Sequence, residues 1–367
     1  MSGDILLVIV VGTALAFDFT NGFHDTANVV ATSISTRAIG PKQAVAFASL
    51  LNFVGAFISL KVATTIAKGF VDTDAVTTTV VFCGLVGAIS WNVITWYFGL
   101  PSSSSHALIG GLVGSVVAAS GWSAVNGGGL VDNLIVPALI APIIAFVAAG
   151  GSIMLVYRIV GRLRPGPVSR GFRLGELASG GLLALSHGTN DAQKTMGVIT
   201  LALVANGNIS ASNFQVPDWV VVASATAISL GTFTGGWRII KTLGTRIISM
   251  DPAQGFAAQG AGAAVILAAS SVGYPLSTTH VISGGIMGAG AAKRFSAVRW
   301  GVAGNIVAAW GLTLPAAALL GALVYGITTL FGNGVAGPIV VTIVLLAGLA
   351  ATFVRRLQHA QPAPSTP

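Results

Sequence analysis

The 367-residue sequence predicts an all-α polytopic membrane protein: an inverted-topology repeat with interrupted and re-entrant helices. Three observations carry this. Hydrophobic residues make up 54% of the chain and charged ones 8%, against about 25% charged in a soluble domain, so lipid has to cover most of the surface. The apolar runs are far too long for barrel strands, and a backbone in lipid must close its own hydrogen bonds, so they are helices. Finally, two pairs of polar motifs recur at nearly equal offsets: "GFHDTAN" (22–28) with "GTNDAQK" (188–194), and "PSSSSHALIGGLVG" (101–114) with "PLSTTHVISGGIMG" (275–288).

The apolar segments fall at 5–36, 43–67, 75–98, 105–119 and 134–157, then at 174–205, 218–236, 256–272, 276–291 and 301–330, with one more at 335–354. Only Asp4 precedes the first run, with no Lys or Arg, so residues 5–20 are a retained span and not a signal peptide. We expect a first repeat over 1–157, a basic cytoplasmic linker over 158–173 ("RIVGRLRPGPVSRGFR"), and a second, inverted repeat over 174–330. An additional helix over 331–357 and a disordered tail over 358–367 complete the chain. The odd number of segments in the first repeat is what reverses the second.

Charge gives the same answer independently. Arg37 and Lys42, the five linker arginines, Arg238, Lys241, Arg246, Lys293, Arg294, Arg299, Arg355 and Arg356 all fall on one face if each segment crosses once. By the positive-inside rule that face is cytoplasmic, which puts the N-terminus outside and the C-terminus inside, with Lys68 the main exception. The net charge of +8 therefore marks sidedness, and no nucleic acid is expected as a partner. The single cysteine, Cys83, excludes disulfides and thiolate metal sites; no metal ligand set and no cofactor are expected.

Inverted repeats with interrupted helices are the signature of secondary transporters, whose sites lie near the midplane between the halves. Asn21 and Gly22 break the apolar pattern, and Asp25 costs several kcal/mol at the bilayer centre unless it meets a partner, an ion or water. His187, Gly188, Asn190 and Asp191 repeat that arrangement. One buried acid in each half makes a cation or proton site, so His24, Asp25, Asn28, Asn190, Asp191 and Lys194 are the coupling candidates. Where Asn28 offers a small cation an amide oxygen, its counterpart Lys194 offers a fixed positive charge that repels sodium. Protons are thus the expected coupling ion, with His24 and Asp25 the titrating pair.

Each hydroxyl run is the start of a helix in sequence form, with proline and serines at the first turn. Free N–H groups and the positive end of the dipole attract an anion there. Ser103, Ser104, Ser105, Ser277, Thr278 and Thr279 are the anion-binding candidates. Two such termini converging from opposite sides suit a tetrahedral oxyanion. Phosphate can also give a proton to Asp25 or Asp191; sulfate has the shape but normally no proton. His106 and His280 follow the hydroxyl runs as caps, a gate or a proton path. Gly110, Gly111, Gly114, Gly284, Gly285 and Gly288 are read as close-packing positions, and Trp91, Trp96 and Tyr97 as interface anchors. An intramembrane hydrolase needs one asymmetric nucleophile and base, whereas serines, histidines and acids are all doubled here, so no enzyme is expected. A passive anion channel is a further class, recognisable by uptake indifferent to a collapsed proton gradient.

At "GFHDTANVVAT", "WNVITWYFGLPSSSSHALIG", "HGTNDAQKTMGVI", "GGWRIIKTLG" and "YPLSTTHVISGGIMG" the chain resembles the inorganic phosphate transporter (Pit) family, in particular its bacterial low-affinity members. The resemblance implies a homodimeric phosphate symporter in a bacterial cytoplasmic membrane, with paired re-entrant regions forming the site. It also implies neutral metal–phosphate complexes as possible cargo, driven by protons. Sodium-coupled relatives carry Asn-Asp-x-x-Asn in both halves; this chain departs from that pattern at His24, Gln193 and Lys194. Some relatives move sulfate, which leaves the anion open at this stage.

Overall fold

The computed structural model describes residues 2–332 and 334–359; of the tail expected over 358–367, Gln358 and His359 end the last helix and the rest lies outside the described residues. The first half comprises α1 (Ser2–Ser35), α2 (Pro41–Gly55), α3 (Lys61–Lys68), α4 (Thr78–Phe98), α5 (Ser104–Ser120), α6 (Gly127–Leu130) and α7 (Val136–Val160), the last two joined by a π-helical turn. The second comprises α8 (Pro165–Ala205), α9 (Asp218–Thr234), α10 (Trp237–Lys241), α11 (Pro252–Ser271), α12 (Thr278–Lys293) and α13 (Trp300–Thr329), followed by α14 (Ala336–His359). Among the described residues, four helices are long and apolar enough to cross a membrane, or five if the bent pair α9 and Trp237–Arg246 is one span. Ser104–Ser120 and Ala336–Gly348 are shorter apolar helical stretches. The chain is a multi-pass, all-α membrane protein.

The core consists of two apolar clusters with a polar layer between them. The first takes Leu6 to Phe17 of α1, Val80 to Ala88 of α4, Ala107 to Val116 of α5 and Ala192 to Leu203 of α8. The second takes Ala27 to Ala31 of α1, Leu183 and Ala184 of α8, much of α7 and α11, and Val281 to Ala289 of α12. Helix α1 therefore passes from the first cluster to the second and α8 from the second to the first: they run in opposite senses. Two hairpins reach the layer between. The α4–α5 turn approaches from the first cluster, closed by Gly99 in the left-handed region (φ 67°), a conformation glycine adopts without strain. The α11–α12 turn approaches from the second.

Three details differ from expectation. The interruptions foreseen at Asn21–Gly22 and His187–Gly188 are absent, because α1 and α8 run through them unbroken. The glycines instead allow close approach: a Cβ on Gly22 would run into the Ile228 carbonyl of α9, and one on Gly188 into the Asn52 carbonyl of α2. Real breaks lie between α2 and α3 and at Gly235–Gly236, where the chain bends by 59°. Lastly, α8 begins at Pro165, inside the basic stretch, with proline in the first turn, where its missing N–H costs nothing.

Glycine packing follows the sequence reading. Gly110 and Gly114 set α5 against the Leu314 and Ala318 carbonyls of α13, and Gly284 and Gly288 set α12 against the Pro142 and Phe146 carbonyls of α7. Without a hydrophobic driving force between helices in lipid, such close contact is what holds them. Pro142 and Pro315 sit inside α7 and α13; the Ala138 carbonyl that Pro142 leaves without its helical donor lies 3.4 Å from His280 Nδ1 of α12.

Candidate functional site

The polar layer is built where four elements meet. Helices α5 and α12 start as the sequence indicates: Ser103 caps α5 by accepting the His106 N–H at 3.1 Å, and Ser277 caps α12 by accepting the His280 N–H at 3.3 Å. These two hydroxyl oxygens are thus engaged at the helix ends. The next residues face the acids. Ser104 Oγ lies 2.6 Å from Asp25 Oδ2 and 2.7 Å from Asn21 Oδ1, its one O–H serving one or the other, while Thr278 donates to the same Asp25 oxygen at 3.4 Å. Both helix starts therefore converge on one carboxylate of α1, which also holds His24 Nδ1 at 2.6 Å. Asn28 donates to Thr278 at 3.2 Å and Thr279 at 2.9 Å, tying α1 to the second hairpin.

The α8 half mirrors this with a different charge. Lys194 Nζ stands 2.5 Å from both Asp191 Oδ1 and Ser105 Oγ, and 2.9 Å from the Leu276 carbonyl. Asn190 donates to Asp191 at 3.0 Å and to the Leu276 carbonyl at 2.8 Å, and His187 Nε2 lies 3.3 Å from Asp191 Oδ2. Ser105 reaches the Leu276 carbonyl at 3.3 Å. All six hydroxyl candidates and all six coupling candidates are buried. In this conformation the donors that could hold an oxyanion are directed at Asp25 and Asp191 and at the hairpin carbonyl of Leu276.

His106 and His280 meet across the layer, ring centroids 4.7 Å apart, and His280 stacks on Trp310 of α13 at 4.1 Å. His280 Nδ1 also lies 3.4 Å from the Ala138 carbonyl of α7. Although no metal ligand set is expected from the sequence, Asp25, His187 and Asp191 offer ligand atoms within 4.8 Å of one another, two oxygens and one imidazole nitrogen. That donor set suits a divalent cation of intermediate hardness.

Several participants escape a motif reading. Thr95 and Ser102 hold His24 Nε2 at 3.1 and 3.3 Å, and Asn52 links His187 Nδ1 at 3.1 Å to Thr232 at 2.8 Å. Thr95 and Asn52 stand in apolar runs outside the repeated motifs, and Ser102, although inside the hydroxyl run, falls opposite Leu276 in the second copy, so the repeat does not reveal them.

Comparison with known proteins fits this geometry. The model of the "Phosphate transporter family" matches residues 21–321. A probable low-affinity inorganic phosphate transporter of Mycobacterium tuberculosis is 52% identical over 89% of this chain and 79% of its own length. One of Bacillus subtilis is 45% identical over 88% of this chain and 96% of its own. Among solved structures, "The sodium-dependent phosphate transporter" superposes with a TM-score of 0.78, covering 89% of this chain and 99% of that one at 26% identity. A family match across the polar layer and both hairpins, with relatives this similar along most of the chain, leaves one conclusion: the chain belongs to the phosphate transporter family.

Proposed function

We propose that this protein takes up inorganic phosphate across the cytoplasmic membrane by proton symport, as a transporter and not an enzyme. The observation that carries this reading is the convergence of Ser104 and Thr278, from helices entering opposite clusters, on Asp25, with Lys194 and Ser105 alongside. Phosphate exchanged for these internal contacts would gain hydroxyls of Ser104, Ser105, Thr278 and Thr279, the Lys194 ammonium, and N–H groups at helix starts capped by Ser103 and Ser277. Entry of the anion in place of a carboxylate's partners ties its binding to the charge state of that carboxylate. Coupling is thereby assigned to His24, Asp25, Asn28, Asn190, Asp191 and Lys194, with His106 and His280 as the gate. Sodium is disfavoured because an ammonium 2.5 Å from Asp191 already neutralises that carboxylate. Access alternates as the α4–α5 and α11–α12 hairpins rock against each other, in a homodimer with the N-terminus outside.

A second reading concerns the cargo. The Asp25, His187 and Asp191 cluster would take a divalent metal travelling with the phosphate as a neutral complex once the incoming anion draws the Lys194 ammonium off Asp191. Both readings meet one experiment: radiolabelled phosphate uptake into proteoliposomes with pH, sodium and divalent metal set independently. Uptake driven by an inward proton gradient without sodium supports the first, and stimulation by metal the second. Strict sodium dependence, or equal displacement by sulfate, would overturn the respective assignment.

A further inference from the structure

A third acid lies in the polar layer. Asp18, on α1, is fully buried, and neither of its carboxyl oxygens has a hydrogen-bond partner. It precedes Asp25 by seven residues, two helical turns, so it shares a face with Asn21, Asp25 and Asn28. The three acids are treated very differently. Asp25 receives His24, Ser104 and Thr278, and Asp191 receives Lys194 and Asn190 with His187 beside it. No hydrogen bond stabilises a charge on Asp18, and the nearby Lys194 ammonium is itself paired with Asp191.

Its surroundings explain what it can do. The Thr195 hydroxyl of α8 stands beside it outside hydrogen-bonding geometry and is itself unpartnered, and the Asn21 amide nitrogen, one turn along α1, is unpartnered too. The charged groups that act on it are Asp191 and Lys194 of α8. Helix α4 carries no charged residue, α9 only Asp218 in its first turn, α2 only Lys42 near its start, and α5 only His106. An isolated carboxylate in such a place is too costly, and the group neutralises instead. Asp18 also breaks the repeat, since Ala184 stands seven residues before Asp191.

We propose that Asp18 carries the coupled proton: it is protonated in this closed conformation and releases the proton to water, its O–H bond breaking, when the layer opens to one side. Asn21, one turn along the same face, lies between Asp18 and the phosphate site: Ser104 Oγ is within hydrogen-bonding distance of both Asn21 and Asp25. This rests on the proton-symport reading and gives the proton a seat separate from the His24–Asp25 pair.

The test compares net accumulation with phosphate counterflow at equal pH in proteoliposomes. One coupled proton supports about tenfold accumulation per imposed pH unit, from the free energy of one pH unit. Asp18→Asn, which mimics the protonated acid, is expected to lose that accumulation while counterflow persists without the pH dependence of wild type; Asp18→Glu should restore part of it. Gradient-driven accumulation in Asp18→Asn equal to wild type would overturn the proposal and leave proton symport intact. A wild-type protein indifferent to the proton gradient would remove both. Should Asp18→Asn fail to fold, the wild-type chain still decides: dicyclohexylcarbodiimide adds to protonated carboxyls in apolar surroundings, and peptide mass mapping is expected to place the adduct on Asp18. An adduct confined to Asp25 or Asp191 would refute the assignment.

Discussion

Replacing Lys194 by methionine removes an ammonium and keeps most of its apolar volume. The lost attraction to Asp191 at 2.5 Å is about 7 kcal/mol at an effective dielectric of about 20. Relief from desolvating the ammonium offsets part of this, and removing one partner of a buried pair costs about 3–5 kcal/mol in practice. Asn190 remains on the carboxylate, which favours the lower end. With an unfolding entropy of about 2.1 cal/mol/K per residue, a loss of about 3 kcal/mol in a chain this long lowers Tm by roughly 4 °C. Thermal unfolding in detergent measures it. Combining Lys194→Met with Asp191→Asn leaves no charge unpaired, so the double variant should recover most of the stability while uptake stays lost. A single variant as stable as wild type, or a double variant whose loss is the sum of the two singles, would refute a coupled pair at the centre of the site.

Asp25→Asn should abolish phosphate uptake with expression near normal; retained transport would remove Asp25 from the mechanism. Ser104→Ala takes away a hydroxyl that phosphate would engage in exchange for Asp25; a bond to a charged group is worth about 1.5–3 kcal/mol and the displaced Asp25 contact offsets part of it, so the KM for phosphate should rise by up to about tenfold, measured as initial uptake rates. Gly114→Leu forces a side chain into the Ala318 backbone, an overpacking cost of about 1–3 kcal/mol or more, visible as a lower Tm with the site residues untouched. At the basic face, burial pushes the Asp251 carboxyl up, but the Gln254 N–H and the Lys293 and Tyr157 side chains outweigh it and hold the group below the usual carboxylate range. A depressed folded-state value means its stabilisation is complete above the ordinary value near 4 and lost as pH falls through the lower one, so Asp251→Asn should flatten the acid limb of a Tm–pH curve below about pH 4. Lys293 is 55% exposed, which keeps the effect small.

Much of this architecture is written in local pattern. Helix starts at Ser104 and Thr278 follow from proline and hydroxyl residues, and the packing of Gly110, Gly114, Gly284 and Gly288 from their spacing. The continuity of α1 and α8 is not local. Whether Asn21 and Asp25 break a helix or stay in one depends on Ser104 and Thr278, which lie about 80 and 250 residues further along the chain. The same holds for Pro165, where arginines resembling a loop continue a helix whose partners are far away. Asp18 carried a readable signal, its two-turn offset from Asp25, but lacking a copy in the second half it is invisible to a search for repeats.

The crossing of α1 and α8 has a consequence for biogenesis. Gly22 seats α1 on α9 and Gly231 returns the contact at Phe19, while Gly188 seats α8 on α2 and Gly55 returns it at Leu185. Each leading helix is therefore clasped by the other half, as in an exchange of arms within one molecule. During synthesis α1 enters the bilayer with Asp18 and Asp25 exposed and waits for residues 218–234 and 278–279 to emerge before its polar stripe is covered. Neither half can mature alone, and the interval before α12 inserts is when the nascent chain most needs protection from degradation.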